Sequence, residues 1–221
     1  MTDSDRLKTE RFPVTAFHQN CSLVSDPKTG RAIVVDPGGD AERLFRHIRD
    51  AALTVEAVLL THGHLDHVGG AAALRDLLAA EQDSPPLIIG PTEEDDFLLR
   101  SVEEQARHFG LTDLHSVSPD RFTHHGDTLD LLGRRYEVLH VPGHTPGHVV
   151  FFDPEDRILF AGDTLFRGTI GRTDFSYGDS RMLVSAIREH ILPLGDDVVV
   201  VPGHGAPTTI GIERETNRFL G

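Results

Sequence analysis

Short apolar runs, each closed by turn-forming residues, recur along the whole chain. Alternating or continuous apolar runs bounded by Gly, Pro, Asn or Asp are typical of β-strands. The runs are FPVTAF (12–17), CSLV, AIVVD (32–36), VEAVLL (55–60), PPLIIG, DTLDLL, RRYEVLHV, HVVFFD, RILFAGD and DVVVVPGHG. The last of them, with its unbroken row of valines, is predicted to be a buried strand.

Helical spacing of apolar residues is found in four stretches between these strands. DAERLFRHIRDA has it, with Asp40 predicted as the N-cap, and so do VGGAAALRDLLAA and a segment around 180–190. Residues 91–110, PTEEDDFLLRSVEEQARHFG, begin with Pro, carry acids in the first turn and end at Gly, which predicts one continuous helix.

The order of these elements predicts the fold class. Strands dominate both halves of the sequence and helices flank them, and no repeat or linker marks a boundary. This order favours two mixed sheets packed face to face, with helices on their outer sides, over a doubly wound parallel sheet. We therefore expect an α/β (α+β) fold, and the length of 221 residues predicts a single domain over 1–221.

The amino-acid composition argues against some classes of binding partner. The chain has 21 basic and 35 acidic side chains, a formal charge of −14, which opposes binding to nucleic acid or to anionic lipid. The N-terminal sequence does not resemble a signal peptide, and no apolar run reaches the roughly 18 residues of a membrane span. The prediction is a cytoplasmic protein without targeting information, in which the single cysteine, Cys21, is a buried strand thiol.

Three histidines and an aspartate are concentrated in THGHLDH, directly after the strand at 55–60. His62 and His64 are two residues apart on an extended segment, so both side chains can face one ion. Asp66 and His67 lie one turn further, where a helix begins, and face a second ion. This spacing predicts two neighbouring metal sites, each incomplete by itself.

Three more candidate ligands follow apolar strands at sharp turns. VLHVPGHTPGH offers His144, ILFAGDTLF offers Asp163 and VVVVPGHGAP offers His204. In each case Pro or Gly allows the chain to bend and leaves a polar side chain beside the end of a strand. Taken alone, Asp163 would be interpreted as a turn or capping aspartate, but beside the other ligands it is predicted to bind metal.

These motifs resemble the metallo-β-lactamase superfamily, and within it the glyoxalase II (hydroxyacylglutathione hydrolase) group. The resemblance rests on VTAFHQNCSLV, VVDPGG, THGHLDHVGG, PGHTPGHVVFF, AGDTLF, GRTDF and VPGHG. It implies a four-layer αββα sandwich with two metals at one edge. By the resemblance, the first metal is held by His62, His64 and His144, the second by Asp66, His67 and His204, and Asp163 bridges them. Asp36 is expected to hold a metal-ligating side chain in place without binding the metal itself. The alternative interpretation is an ordinary turn aspartate.

Imidazole and carboxylate ligands suit two divalent ions, zinc before iron or manganese. A hydroxide held between them is expected to attack an acyl carbonyl, with Asp66 orienting the nucleophile. A thioester fits because a thiolate leaves without a strong general acid, and the motifs contain no obvious acid. The chemistry therefore favours hydrolysis of a small thioester, and the resemblance implies a thioester of the S-lactoylglutathione type.

The sequence says less about the thiol that carries the acyl group of the substrate than about the metal ligands. Larger glyoxalase II enzymes carry a helical C-terminal domain that supplies part of the glutathione site, and this chain stops soon after His204. The segment TLFRGTIGRTDFSYGDSR offers a local cationic patch for an anionic thiol conjugate, with Tyr177 beside it. The arginines of this patch are Arg167, Arg172 and Arg181. The alternative is that they pair with Asp174 and Asp179 on the surface.

Other activities also fit the motifs. A persulfide dioxygenase would use one iron on His62, His144 and Asp163, a facial triad with open positions for oxygen. A lactonase or another metallohydrolase of the same fold is a further alternative, and a non-catalytic scaffold would use metals only for folding. Structural zinc sites are usually closed and rich in cysteine, unlike this ligand set. Metal content and oxygen consumption separate the first two classes.

Overall fold

The computed structural model of the chain describes residues 6–221. Within that span the strands and helices occur in the following order: β1 (Lys8–Val14), β2 (Gln19–Ser25), β3 (Arg31–Val35), α1 (Ala41–Asp50), β4 (Thr54–Leu59), α2 (Leu65–Val68), α3 (Ala71–Ala79), β5 (Leu87–Ile89), α4 (Asp96–Leu99), α5 (Val102–His108), β6 (Thr128–Leu131), β7 (Arg134–His140), β8 (Val149–Asp153), β9 (Ile158–Gly162), β10 (Leu165–Phe166), β11 (Thr169–Ile170), α6 (Ser180–Ala186), β12 (Val199–Pro202), β13 (Thr208–Thr209) and α7 (Ile210–Thr216).

The strands form two large mixed sheets and a short hairpin of β10 and β11. The first sheet has the order β1-β2-β3-β4-β5, antiparallel from β1 to β3 and parallel from β3 to β5. The second has the order β13-β12-β9-β8-β7-β6, in which only the β12–β9 pair is parallel.

Three apolar cores separate four layers, because successive side chains of a strand point to opposite faces. On β3, Ile33 packs between the sheets, whereas Val34 faces the layer of α1 and α3. Phe151 and Phe160 enter the same inter-sheet core from the second sheet. On the far side, Leu183 of α6 packs against that sheet. The predicted αββα sandwich is therefore confirmed.

One edge of the sandwich collects the ends of several strands. β3 and β4 are parallel and finish there, as do β9 and β12, and β8 starts there because it is antiparallel to β9. The two sheets meet at this edge, where the Asn20 amide donates to the Gly203 carbonyl at 2.7 Å. Loops that leave these strands are thereby brought together.

Three local predictions are wrong. The strand predicted at 12–17 is β1, which ends at Val14 so that the chain can reverse into β2. Asp40 does occupy the predicted N-cap position of α1, but its side chain makes no capping hydrogen bond; its φ is +52°, and its carboxylate accepts from the Thr15 amide instead. Residues 91–110 form a 3₁₀ turn, α4 and α5 rather than one helix, because the chain bends to bury side chains of successive segments at different places.

Candidate dinuclear metal centre

The first group of ligands joins loops from both sheets. His62 and His64 follow β4, and His144 lies in the loop before β8. The Nε2 atoms of His62 and of His144 each lie 3.0 Å from Nδ1 of His64. These three buried nitrogens, within 4.8 Å of one another, form what we call the first triad.

A second triad lies beside it, formed by Asp66 and His67 at the start of α2 and by His204 after β12. Oδ2 of Asp66 lies 3.2 Å from Nε2 of His204 and 3.9 Å from Nε2 of His67. α2 begins at Leu65, between His64 and Asp66, so the two ends of the motif contribute to different groups. His62, His67 and Asp163 also lie close enough together to hold one ion, which places the two triads side by side. The division of THGHLDH between two metal sites stays a prediction.

Asp163, directly after β9, lies between the two triads. Its Oδ1 atom is 3.3 Å from Nε2 of His67, and its Oδ2 atom is 3.6 Å from Nε2 of His144 and 3.7 Å from Nε2 of His204. The carboxylate is thus within reach of ligands from both triads, the placement that a bridging ligand requires.

In His64, His67 and His144, the ring nitrogen that faces away from the triads also has a hydrogen-bonding partner. Nδ1 of His67 lies 2.9 Å from Oδ2 of Asp36, and Nδ1 of His144 donates to the Arg172 carbonyl at 2.7 Å. Nε2 of His64 lies 2.9 Å from the Tyr177 hydroxyl oxygen. A proton on each outward nitrogen leaves the inward nitrogen with its lone pair free, as metal ligation demands.

Burial and charge also favour a cation at this centre. Burial, with help from neighbouring histidines, lowers the pKa of His62 well below its usual range and that of His64 to about 3. Burial alone would raise the pKa of Asp163, but nearby His67 outweighs it and the net pKa is lowered. Nε2 of His67 and Oδ1 of Asp163 are buried and approach each other without the alignment of a hydrogen bond. In the first triad, unprotonated imidazoles fit a divalent metal ion. At His67, the Asp163 and Asp66 carboxylates outweigh burial and raise the pKa well above its usual range, so this position also favours positive charge.

Sequence reasoning missed two buried polar residues at this edge. His148, the second histidine of PGHTPGH, stacks on His62 with ring centroids 4.6 Å apart, and its Nε2 accepts from the Asp163 amide at 3.0 Å. Asp95 contacts both loops of the first triad. The repeated His of the motif was a signal for the former, whereas Asp95 is hidden in the run TEEDD.

Only some of the predicted substrate residues lie beside the first triad. Tyr177 stacks on Phe175 with centroids 5.2 Å apart, and Phe97 meets it edge-on at 5.4 Å, which forms an aromatic wall beside His64. The Arg172 guanidinium lies over Phe175 and makes two hydrogen bonds of 2.7 Å to Asp174.

The other two arginines do not join this wall. Arg167 is exposed on the turn between β10 and β11, and Arg181 borders a shallow groove with Val184 and Arg188. Asp179 caps α6 through backbone amides. Among residues 6–221, no described contact connects the three arginines, so the structure does not assemble them into one patch.

Comparison with known proteins places the chain in a family. Residues 14–204 match the family profile described as the metallo-beta-lactamase superfamily. The chain belongs to the metallo-beta-lactamase superfamily. The protein called hydroxyacylglutathione hydrolase GloC of Haemophilus influenzae is 49% identical over 215 residues, which cover 97% of this chain and 98% of the relative. The family match and this relative bear out the prediction of a metal-dependent hydrolase.

Two solved structures have the same fold as this chain. The B3 metallo-beta-lactamase BLEG-1 has a TM-score of 0.86 at 32% identity and covers 96% of this chain and 99% of its own. TTHA1623, solved in a di-iron-bound form, has a TM-score of 0.83 at 35% identity and covers 96% of this chain and 100% of its own. In the described part of this superfamily member, no helix is long and apolar enough to cross a membrane.

Proposed function

We propose that this chain hydrolyses thioesters of the hydroxyacylglutathione type, S-lactoylglutathione among them, at a centre of two divalent metal ions. The observation that carries the proposal is the pair of ligand triads with Asp163 between them. The relative named as a hydroxyacylglutathione hydrolase supports the choice of substrate.

The seven proposed ligands divide as the triads do. The first ion would be held by the first triad, the second ion by the second triad, and Asp163 would serve both. Two such ions, zinc before iron or manganese, would acidify a water molecule and polarise the substrate carbonyl. Asp36 would hold His67 in the tautomer that presents Nε2 to the ion.

Asp66 and Tyr177 are the protein groups that we assign to the substrate side of the centre. Asp66 keeps 15% of its side chain exposed, so its carboxylate can both ligate and orient the attacking water. Because Nδ1 of His64 faces the first triad, its Nε2 carries the proton and donates to the Tyr177 oxygen. The Tyr177 proton is then available to the substrate, and burial raises its pKa to about 12, so it stays in place at neutral pH.

The aromatic wall of Phe97, Phe175 and Tyr177 would receive the apolar part of the substrate beside the reacting centre. Arg172 is the proposed contact for an anionic carrier, and it would exchange its Asp174 partner for a substrate carboxylate. Arg167 would act only on a carrier long enough to reach the β10–β11 turn.

Metal analysis of purified protein, combined with hydrolysis of S-lactoylglutathione, tests the proposal. We expect about two ions per chain at full loading and hydrolysis that a chelator abolishes and metal restores. Full activity with one ion, together with oxygen uptake on a persulfide substrate, would instead establish the mononuclear dioxygenase. The convergence of Asp66, His67 and His204 favours the hydrolase, because a single-iron enzyme has no need of a second triad.

A further inference from the structure

Asp95 is a buried carboxylate with three hydrogen-bond donors around it. It precedes α4, and its relative exposure is 0%. Oδ2 accepts from the Gly63 amide at 2.8 Å and from the Thr145 hydroxyl at 2.7 Å, and Oδ1 accepts from the Gly147 amide at 2.6 Å. Hydrogen bonds to an ionised carboxylate are roughly twice as strong as neutral ones, so this cluster constrains its partners firmly.

The three donors belong to the two loops that carry the first triad. Gly63 separates the two histidines of the loop after β4, and Thr145 follows His144 in the loop before β8. These loops come from different sheets and are not paired as strands. One backbone hydrogen bond links them directly, from the Val149 amide to the Thr61 carbonyl at 2.8 Å, but it lies outside the segments 62–64 and 144–147. Asp95, from a third segment, makes hydrogen bonds to both.

Two glycines show how closely the loops approach this segment. A Cβ at Gly147 would lie 2.7 Å from the Asp95 backbone nitrogen and 2.8 Å from its carboxyl carbon. A Cβ at Gly63 would lie 2.6 Å from Cβ of Leu98 and 3.0 Å from the Asp95 carbonyl oxygen. Both loops are therefore packed against the turn that presents Asp95, and neither can move toward it.

We propose that Asp95 is a positioning residue that fastens the two loops so that the three nitrogens of the first triad converge. The inference rests on the proposed metal centre and is independent of the thioester substrate. Asparagine at this position keeps one acceptor oxygen and turns an NH₂ group toward at least one donor, so it cannot replace the carboxylate. Loss of such an outer partner typically weakens metal binding by about 10- to 100-fold.

The alternative is a buried carboxylate that stabilises the fold without arranging the ligands. Asp153 provides the comparison, because it is 2% exposed and its Oδ1 atom accepts from the Glu155 and Asp156 amides at 2.9 and 3.1 Å, while its Oδ2 atom lies 3.4 Å from the Arg134 guanidinium. It lies at the end of β8 away from the ligand loop. Asp153→Asn therefore reports the cost of neutralising a buried, amide-bonded carboxylate far from the triad.

The experiment compares Asp95→Asn, Thr145→Val and Asp153→Asn in a His204→Ala background, which disables the second triad. Zinc affinity is measured by chelator competition, and the cobalt-substituted proteins are compared by visible absorption. We expect zinc affinity about 10- to 100-fold weaker in Asp95→Asn, a smaller loss in Thr145→Val and altered cobalt spectra in both. Asp153→Asn should keep affinity and spectrum while its thermal unfolding temperature falls.

Unchanged zinc affinity and cobalt spectrum in Asp95→Asn would overturn the proposal, and so would equal losses in Asp95→Asn and Asp153→Asn. If Asp95→Asn does not fold, Thr145→Val decides, since it removes one hydrogen bond and almost no volume. An unchanged affinity and spectrum there would also overturn it. None of these readouts depends on S-lactoylglutathione hydrolysis, so failure of the substrate assignment is recognised separately.

Discussion

Replacing Asp36 by Asn is expected to weaken metal binding at the second triad while the fold is retained. Oδ1 of Asp36 accepts from the Thr61 amide at 2.7 Å; Oδ2 accepts from the Thr61 hydroxyl at 2.6 Å and lies 2.9 Å from Nδ1 of His67. The φ of Asp36 is +51°, and Asn tolerates this left-handed conformation better than most residues. The variant therefore keeps the turn and the first bond but loses the acceptor that faces His67.

The size of the effect follows from the lost acceptor. Removing an outer partner of a ligating histidine lowers metal affinity by about 10- to 100-fold, which corresponds to about 1.4 to 2.8 kcal/mol. A buried donor without a partner costs about 1 to 3 kcal/mol, so the free energy of unfolding of the metal-free protein should fall by a similar amount.

Zinc titration against a chelator and thermal unfolding of the metal-free protein measure both quantities. Asp40→Asn is the matched control, because Asp40 also has a positive φ, of 52°, but it is exposed and contacts no ligand of either triad. We expect the second zinc of Asp36→Asn to bind more weakly while Asp40→Asn binds both ions normally. Two zinc ions bound with unaltered affinity in Asp36→Asn would refute the role assigned to Asp36.

Four other substitutions test the centre and its wall. Asp163→Ala should lower affinity at both triads and turnover by orders of magnitude, whereas near-normal turnover would mean a simple turn aspartate. Tyr177→Phe removes one hydroxyl and should lower kcat/KM by about tenfold, the value of roughly one hydrogen bond, with zinc stoichiometry unchanged; full activity would exclude a substrate contact. Arg172→Ala should raise KM for S-lactoylglutathione more than it lowers kcat, and less so in high salt, and Asp174→Ala should have the opposite effect on KM; an unaltered KM in both would place recognition elsewhere.

The clustering of the proposed ligands could be predicted because each follows a strand that the sequence itself marks. The apolar runs before His62, Asp163 and His204 are strands buried on both faces, and their ends face one edge. The division of THGHLDH between two groups also follows from local geometry, since α2 begins between its second histidine and its aspartate. Local periodicity and spacing were sufficient for these features.

The sequence-based predictions failed where contacts between residues distant in sequence determine the local structure. Four consecutive acids, from Glu93 to Asp96, resemble the solvated first turn of one helix, yet only Asp95 is turned inward. Which acid is buried depends on Gly63 and Gly147, which are distant in sequence. The pairing of Arg172 with Asp174 was the alternative that the sequence left open, because the choice depends on the conformation of a turn, which composition cannot give.

Two glycines of the quoted motifs lie at this edge in places where a side chain would clash with its neighbours. A Cβ at Gly203, in VPGHG, would lie 2.2 Å from Oδ1 of Asp163 and 2.5 Å from Cε1 of His67. A Cβ at Gly38, in DPGG, would lie 1.5 Å from the Asp66 carbonyl oxygen. A side chain at either position would displace a ligand or the backbone that carries it. At Gly203 and Gly38, backbone rather than a side chain therefore lies immediately behind Asp163, His67 and Asp66, which allows these proposed ligands to approach one another.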